Sequence, residues 1–104
     1  MTNTSPLNKA IDHFQSNYDQ YFKKFKEFLK IPSISADSAY NGDIQKAATW
    51  LADYLKQMGM QSVQIFETVK HPIVYGEYLK AGANKPTILM YGHYDVQPPD
   101  PMDE

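Results

Sequence analysis

The sequence predicts an α/β fold with a mixed, mostly parallel sheet flanked by helices. Two segments among the first 60 residues place apolar side chains at the three- and four-residue steps of an amphipathic helix. Alternating patterns with a period of two follow them, as in half-buried strands. A continuous apolar run near residue 90 is typical of a strand that is buried on both faces of a sheet.

The first predicted helix runs from Pro6 to Lys30. Ser5 is a suitable N-cap, and proline is favoured at the first helical position. The helix is expected to stop at Ile31, because a residue that precedes proline disfavours the helical conformation. At helical spacing, the aromatic side chains of this segment indicate a core or a covered flank rather than a partner-binding groove. The apolar stripe comprises Leu7, Ile11, Phe14, Tyr18, Phe22, Phe25 and Leu29.

A second helix and three strands are predicted in the rest of the chain. The helix starts near Asp43, as N-cap or first-turn acid, and ends at Gly59, since glycine adopts the left-handed conformation of a helix stop. An irregular connection, residues 32–42, precedes it. Two short strands, 63–67 and 73–79, can pair antiparallel. After a turn, the apolar run 87–91 forms the third strand.

Composition excludes several classes of function. Ten lysines and no arginine oppose twelve acidic residues, for a net charge of -2, so no basic field is available for nucleic acid. The absence of cysteine excludes disulfides and thiolate chemistry and fits a reducing compartment. No secretory signal is recognised, and no apolar run approaches the roughly 20 residues of a membrane span. A cytoplasmic protein without a membrane partner is therefore expected.

His93 and Asp95 are the candidate site residues. His93 follows the predicted strand 87–91, at the sheet edge where open α/β folds bind ligands. Residues i and i+2 of an extended chain project to the same side, so Asp95 can approach the imidazole. A carboxylate that accepts one ring N–H leaves the other nitrogen free to ligate a metal. The alternative is a histidine that is hydrogen-bonded for purely structural reasons.

The stretch TILMYGHYDVQPPDP resembles the first metal-binding motif of the dizinc metallopeptidases that include aminoacylase, carboxypeptidase G and carnosine-type dipeptidases. FKEFLKIPSIS and DIQKAATWLADYLKQMGM are similar to that family's opening helix and loop and to its second helix. The form Gly-His-Tyr-Asp-Val-Gln-Pro is most similar to the dipeptidase branch.

The resemblance implies that residues 1–104 are the N-terminal part of one zinc-exopeptidase-like catalytic domain. A strand that is apolar on both faces agrees, because it needs covering layers that two helices cannot complete. His93 then corresponds to the first zinc ligand, and Asp95 to the aspartate that orients it and is counted as catalytic. The other ligands of the two zinc ions and the glutamate base come later in family members, as does a lid or dimerisation domain.

The function implied for the intact protein is zinc-dependent hydrolysis of dipeptides or short peptides, and a homodimer is the assembly that the resemblance implies. This chain alone should be inactive, since catalytic zinc generally requires three protein ligands. Two alternatives remain: an N-acyl-amino-acid deacylase with the same metal centre, and a noncatalytic remnant or binding module. A serine hydrolase is disfavoured, because Ser33 and Ser35 lack the Gly-x-Ser-x-Gly context. His13 and His71 lack a supporting carboxylate and are predicted at the surface or a boundary.

Overall fold

A computed structural model describes residues 5–100, which divide between Lys30 and Ile31 into two units. Both helices and strands are present, so the predicted α/β class is confirmed. Within the described residues, no helix is both long enough and apolar enough to cross a membrane.

The first unit contains two helices, α1 (Pro6–Ser16) and α2 (Tyr18–Leu29), where a single helix was predicted. The predicted cap is confirmed, since the Ser5 hydroxyl accepts from the backbone N–H of Asn8 at 3.2 Å. At the break, Asn17 has a φ of -117° and a ψ of 17°, outside the helical region. Its side-chain amide and its backbone N–H both donate to the His13 carbonyl, at 2.8 Å and 3.1 Å.

The apolar stripe of this unit is exposed. No residue of either helix is buried, and the stripe side chains retain between 43% and 70% of their accessible surface. Their rings contact one another along the surface, as where Tyr18 stacks on Phe22 with 5.8 Å between ring centroids. The aromatic side chains were predicted to form a core or a covered flank, with some of them exposed in this chain. Four of them are 45–54% exposed in the structure: Phe14, Tyr18, Phe22 and Phe25.

The second unit is built around helix α3 (Asn41–Gln57), which packs against a two-stranded sheet. The helix begins two residues before Asp43, which is the acid of its first turn. Gly59 follows its end with a φ of 91°, as predicted for a left-handed stop. The helix contributes most of the buried apolar side chains, one isoleucine and three alanines: Ile44, Ala47, Ala48 and Ala52.

Strands β1 (Gln61–Phe66) and β2 (Ile73–Glu77) form the sheet. Their antiparallel pairing is confirmed, with Ile65 opposite Val74. Gly76 allows β2 to lie close to α3, since a Cβ atom there would be 3.2 Å from Leu55 Cδ1 and the leucine side chain would have to shift.

The third predicted strand is not formed. Residues 87–91 have no strand structure, and the side chains from Ile88 to Tyr91 are 80–93% exposed. A strand requires a neighbour for its backbone hydrogen bonds, and no strand of the described residues lies beside this segment. Within residues 5–100, a parallel pairing instead joins Ile34, in the connection before α3, to Val96 beyond His93. Among the described residues, the predicted mixed sheet is represented by the antiparallel pair β1–β2 and by this parallel bridge.

Candidate functional site

His93 and Asp95 contact each other as the i, i+2 spacing predicts. The Nδ1 atom of His93 lies 2.9 Å from Oδ1 of Asp95 and 3.2 Å from its backbone oxygen. The His93 side chain is 76% exposed, whereas that of Asp95 is 41% exposed. The imidazole of His93 is therefore accessible to solvent, while the Asp95 carboxylate that contacts it is partly buried.

The charge state of Asp95 decides which nitrogen of His93 carries the proton. The hydrogen bond from the Ser35 hydroxyl, and secondly that with His93, holds the pKa of the Asp95 carboxyl below its usual value, although partial burial opposes this. An ionised carboxylate only accepts hydrogen bonds, so Nδ1 of His93 must be the donor. In the neutral imidazole, Nε2 then carries the lone pair.

The connection before α3 holds the segment that carries this pair. The backbone N–H of Val96 donates to the Ser33 carbonyl at 2.9 Å. The Ser33 hydroxyl donates to the Tyr94 carbonyl at 2.8 Å, and Ser33 is almost fully buried. Together with the Ile34–Val96 bridge, these bonds fix the register of residues 93–96.

Ser35 reaches the candidate site directly, a role that the sequence analysis missed. Its hydroxyl donates to Oδ2 of Asp95 at 2.5 Å.

His71, predicted at a boundary, is partly buried, and its Nε2 atom lies 3.1 Å from the Ser35 carbonyl oxygen. The only local signal for Ser35 is that Ser33 and Ser35 alternate about the apolar Ile34, the spacing that puts two side chains on one side of an extended chain. Nothing in that pattern identifies a partner 60 residues away.

Tyr94 connects the segment 93–96 to the residues that precede β2. Its hydroxyl donates to the Pro72 carbonyl at 2.6 Å, next to the start of β2. Burial raises the pKa of Tyr94, and the nearby carboxylates of Asp95 and Glu67 act in the same direction. Tyr94 therefore remains protonated, and a donor, at neutral pH.

The donor set fits one ligand of a metal site together with its orienting carboxylate. An Nε2 lone pair directed away from a carboxylate-held Nδ1–H is the arrangement of metal-ligating histidines. Residues 5–100 contain no group of three or more histidine or carboxylate side chains arranged to hold a metal ion. His13 lies on helix α1 in the other unit.

The known proteins that this chain resembles in sequence include three yeast metallodipeptidases. The Cys-Gly metallodipeptidase of Candida albicans is 30% identical to this chain over an alignment of 105 residues. The alignment covers 89% of this chain and 21% of that protein. This chain is similar to metallodipeptidases. The Cys-Gly metallodipeptidases of Schizosaccharomyces pombe and Saccharomyces cerevisiae are 27% and 24% identical, each over 88% of this chain and 21% of the relative.

The similarity covers most of this chain but only a small part of each relative. The chain spans about a fifth of the length of the curated relatives that it matches. No family model matches the chain, and no solved structure matches it.

Proposed function

We propose that the protein is a metal-dependent hydrolase of dipeptides or short peptides, with zinc as the metal and with His93 as one of its ligands. The observation that carries this proposal is the His93–Asp95 pair, in which one ring nitrogen is held by an ionised carboxylate and the ring is exposed. Similarity to Cys-Gly metallodipeptidases supports the substrate class.

Each residue has a definite part in this proposal. Nε2 of His93 ligates the metal, and Asp95 holds the ring through Nδ1 and increases its basicity as a ligand. When bound, the metal supplies Lewis-acid chemistry, acidifying a water and polarising the scissile carbonyl. Two zinc ions need further ligands and a general base, which the proposal assigns to residues outside 5–100. A cytoplasmic location and a homodimeric assembly complete the proposal.

The decisive experiment compares two histidine variants of the full-length protein. Release of free amino groups is measured with Cys-Gly, with other dipeptides and with N-acetyl amino acids, and zinc content is measured by elemental analysis. His93→Ala should lower hydrolysis at least about 100-fold and reduce bound zinc, since its loss removes a metal ligand. His13→Ala, which changes an exposed histidine of the other unit, should retain both properties.

The remaining outcomes separate the candidate functions. Equal activity of the two variants would exclude His93 as a ligand. Hydrolysis of N-acetyl amino acids without hydrolysis of dipeptides would identify a deacylase, and a protein with neither activity nor zinc would be the noncatalytic binding module. The 104-residue chain alone should hydrolyse none of these substrates, because one histidine ligand does not make a catalytic zinc site.

A further inference from the structure

The Asp95 carboxylate is held at both of its oxygens. Oδ1 lies against Nδ1 of His93 at 2.9 Å, and Oδ2 accepts from the Ser35 hydroxyl at 2.5 Å. The terminal torsion of an aspartate is otherwise broad and settles into no sharply defined rotamer. Two donors on different oxygens remove that freedom, so the direction of Oδ1 depends on Ser35 as well as on His93.

Ser35 is itself held in place by its backbone. The Nε2 atom of His71, which lies two residues before β2, is 3.1 Å from the Ser35 carbonyl oxygen. Ile34, the preceding residue, is 5% exposed and forms the parallel bridge with Val96. The Ser35 hydroxyl therefore projects from a segment that is fixed on two sides, which is the condition for it to impose an orientation on another side chain.

We propose that Ser35 is a positioning residue for His93, acting through Asp95. Its hydroxyl turns the carboxylate so that Oδ1 faces Nδ1, which keeps the neutral imidazole in the Nδ1–H tautomer with Nε2 available to a metal. The assignment of that nitrogen to a metal rests on the proposed function. The control of the tautomer by Ser35 rests on the hydrogen bonds alone and can be measured without metal or substrate.

A purely structural role is the competing explanation, and Ser33 provides the comparison. The Ser33 hydroxyl bonds a backbone carbonyl and does not contact the carboxylate, so it holds the segment without directing Asp95. If Ser35 acts only on stability, its removal should leave the tautomer of His93 unchanged. A tautomer readout therefore distinguishes positioning from folding.

The test is a long-range ¹H–¹⁵N correlation spectrum of the metal-free protein, in which His93→Ala assigns the His93 ring signals. At a pH where the ring is neutral, the wild type should show mainly the Nδ1–H form, and Ser35→Ala should show a marked gain of the Nε2–H form. Ser35→Thr, which keeps a hydroxyl, should restore the wild-type ratio. Ser38→Ala, at an exposed serine of the same connection, should leave it unchanged.

Zinc affinity of the full-length protein gives a second measurement. Loss of a group that orients a ligand through hydrogen bonds typically weakens metal affinity by about 10–100-fold, and Ser35→Ala should fall at the lower end because it acts through Asp95. Ser35→Thr should stay close to wild type. Competition with a chelator measures both values.

The outcomes separate this inference from the proposed function. An unchanged tautomer ratio in Ser35→Ala would overturn the positioning role, even if His93→Ala abolished hydrolysis. A shifted ratio in a protein that neither binds zinc nor hydrolyses peptides would support the role of Ser35 and overturn only the proposed function. If Ser35→Ala loses its dispersed amide spectrum, Ser35→Cys replaces it, because a thiol is a much weaker donor of similar size. Equal ratios in Ser35→Cys and Ser35→Thr would then contradict the proposal.

Discussion

Residues 87–91 precede the candidate site in sequence, and residues 33–35 contact it. Their comparison shows that apolar composition alone does not determine whether a segment is paired and buried. Residues 87–91 are the more apolar and remain unpaired, with Leu89 at 91% exposure. Residues 33–35 contain two serines, yet Ile34 is 5% exposed and bridges Val96. The difference lies in the availability of a hydrogen-bonding neighbour, which backbone groups need before a segment can be buried. His93 follows the unpaired segment but is positioned by the paired one.

The largest expected effect on stability comes from replacing an isoleucine with alanine in the paired segment, and the same replacement in residues 87–91 is its control. Ile34→Ala should lower the free energy of unfolding by roughly 2–5 kcal/mol, because it leaves a cavity beside the bridge to Val96. Ile88→Ala should change it by less than about 0.5 kcal/mol, since Ile88 is 80% exposed. Denaturant unfolding followed by circular dichroism measures both. Similar losses in the two variants would mean that residues 87–91 are also packed.

A smaller effect is expected for the tyrosines that flank His93. Tyr94→Phe should lower the free energy of unfolding by about 1 kcal/mol, because it removes the half-buried hydrogen bond to the Pro72 carbonyl. Tyr91→Phe is the matched control and should be neutral, as Tyr91 is 93% exposed. The same unfolding experiment compares the two. An effect of Tyr91→Phe equal to that of Tyr94→Phe would remove the distinction between the paired and unpaired segments.

Much of the second unit could be predicted because its signals are local. The periodic stripe of α3, the glycine that ends it and the alternation in β1 and β2 each lie within one element, and all three were identified. The approach of Asp95 to His93 also needed only the two-residue repeat of an extended chain. These features required no knowledge of what lies elsewhere in the fold.

The features that the sequence did not reveal depend on distant partners or on close competition. Ser35 meets Asp95 across 60 positions of sequence, and no local pattern encodes that distance. The run 87–91 has a strand's composition, but its outcome depends on a neighbouring strand. At Asn17, a side-chain amide shares the His13 carbonyl with a backbone N–H, and helical periodicity does not encode such a contact. The candidate site thus combines one predictable contact with others that only the fold supplies.

The smallest expected effect concerns a tyrosine within the paired strand β2. The Tyr75 hydroxyl donates to Oε2 of Glu77 at 2.7 Å, an i, i+2 contact that requires an extended backbone. This hydrogen bond, and then the charge of Glu77, raises the pKa of Tyr75 above its ordinary value of 10.0. Because the folded pKa lies above the unfolded one, the contact stabilises the fold below about pH 10, and this contribution is lost as the pH rises through the raised pKa.

Titration of the Tyr75 ring by ¹³C NMR measures this shift, and Glu77→Gln is the variant that tests its cause. The wild type should titrate at a higher pH than the variant, because glutamine keeps an acceptor but removes the charge. The stability difference itself should be small, since Tyr75 is 43% exposed and solvent screens the charge of Glu77. Identical titration midpoints would show that the hydrogen bond between Tyr75 and Glu77 does not form in solution. The contrast between β2 and residues 87–91 would then rest on the backbone pairing of β2 with β1 alone.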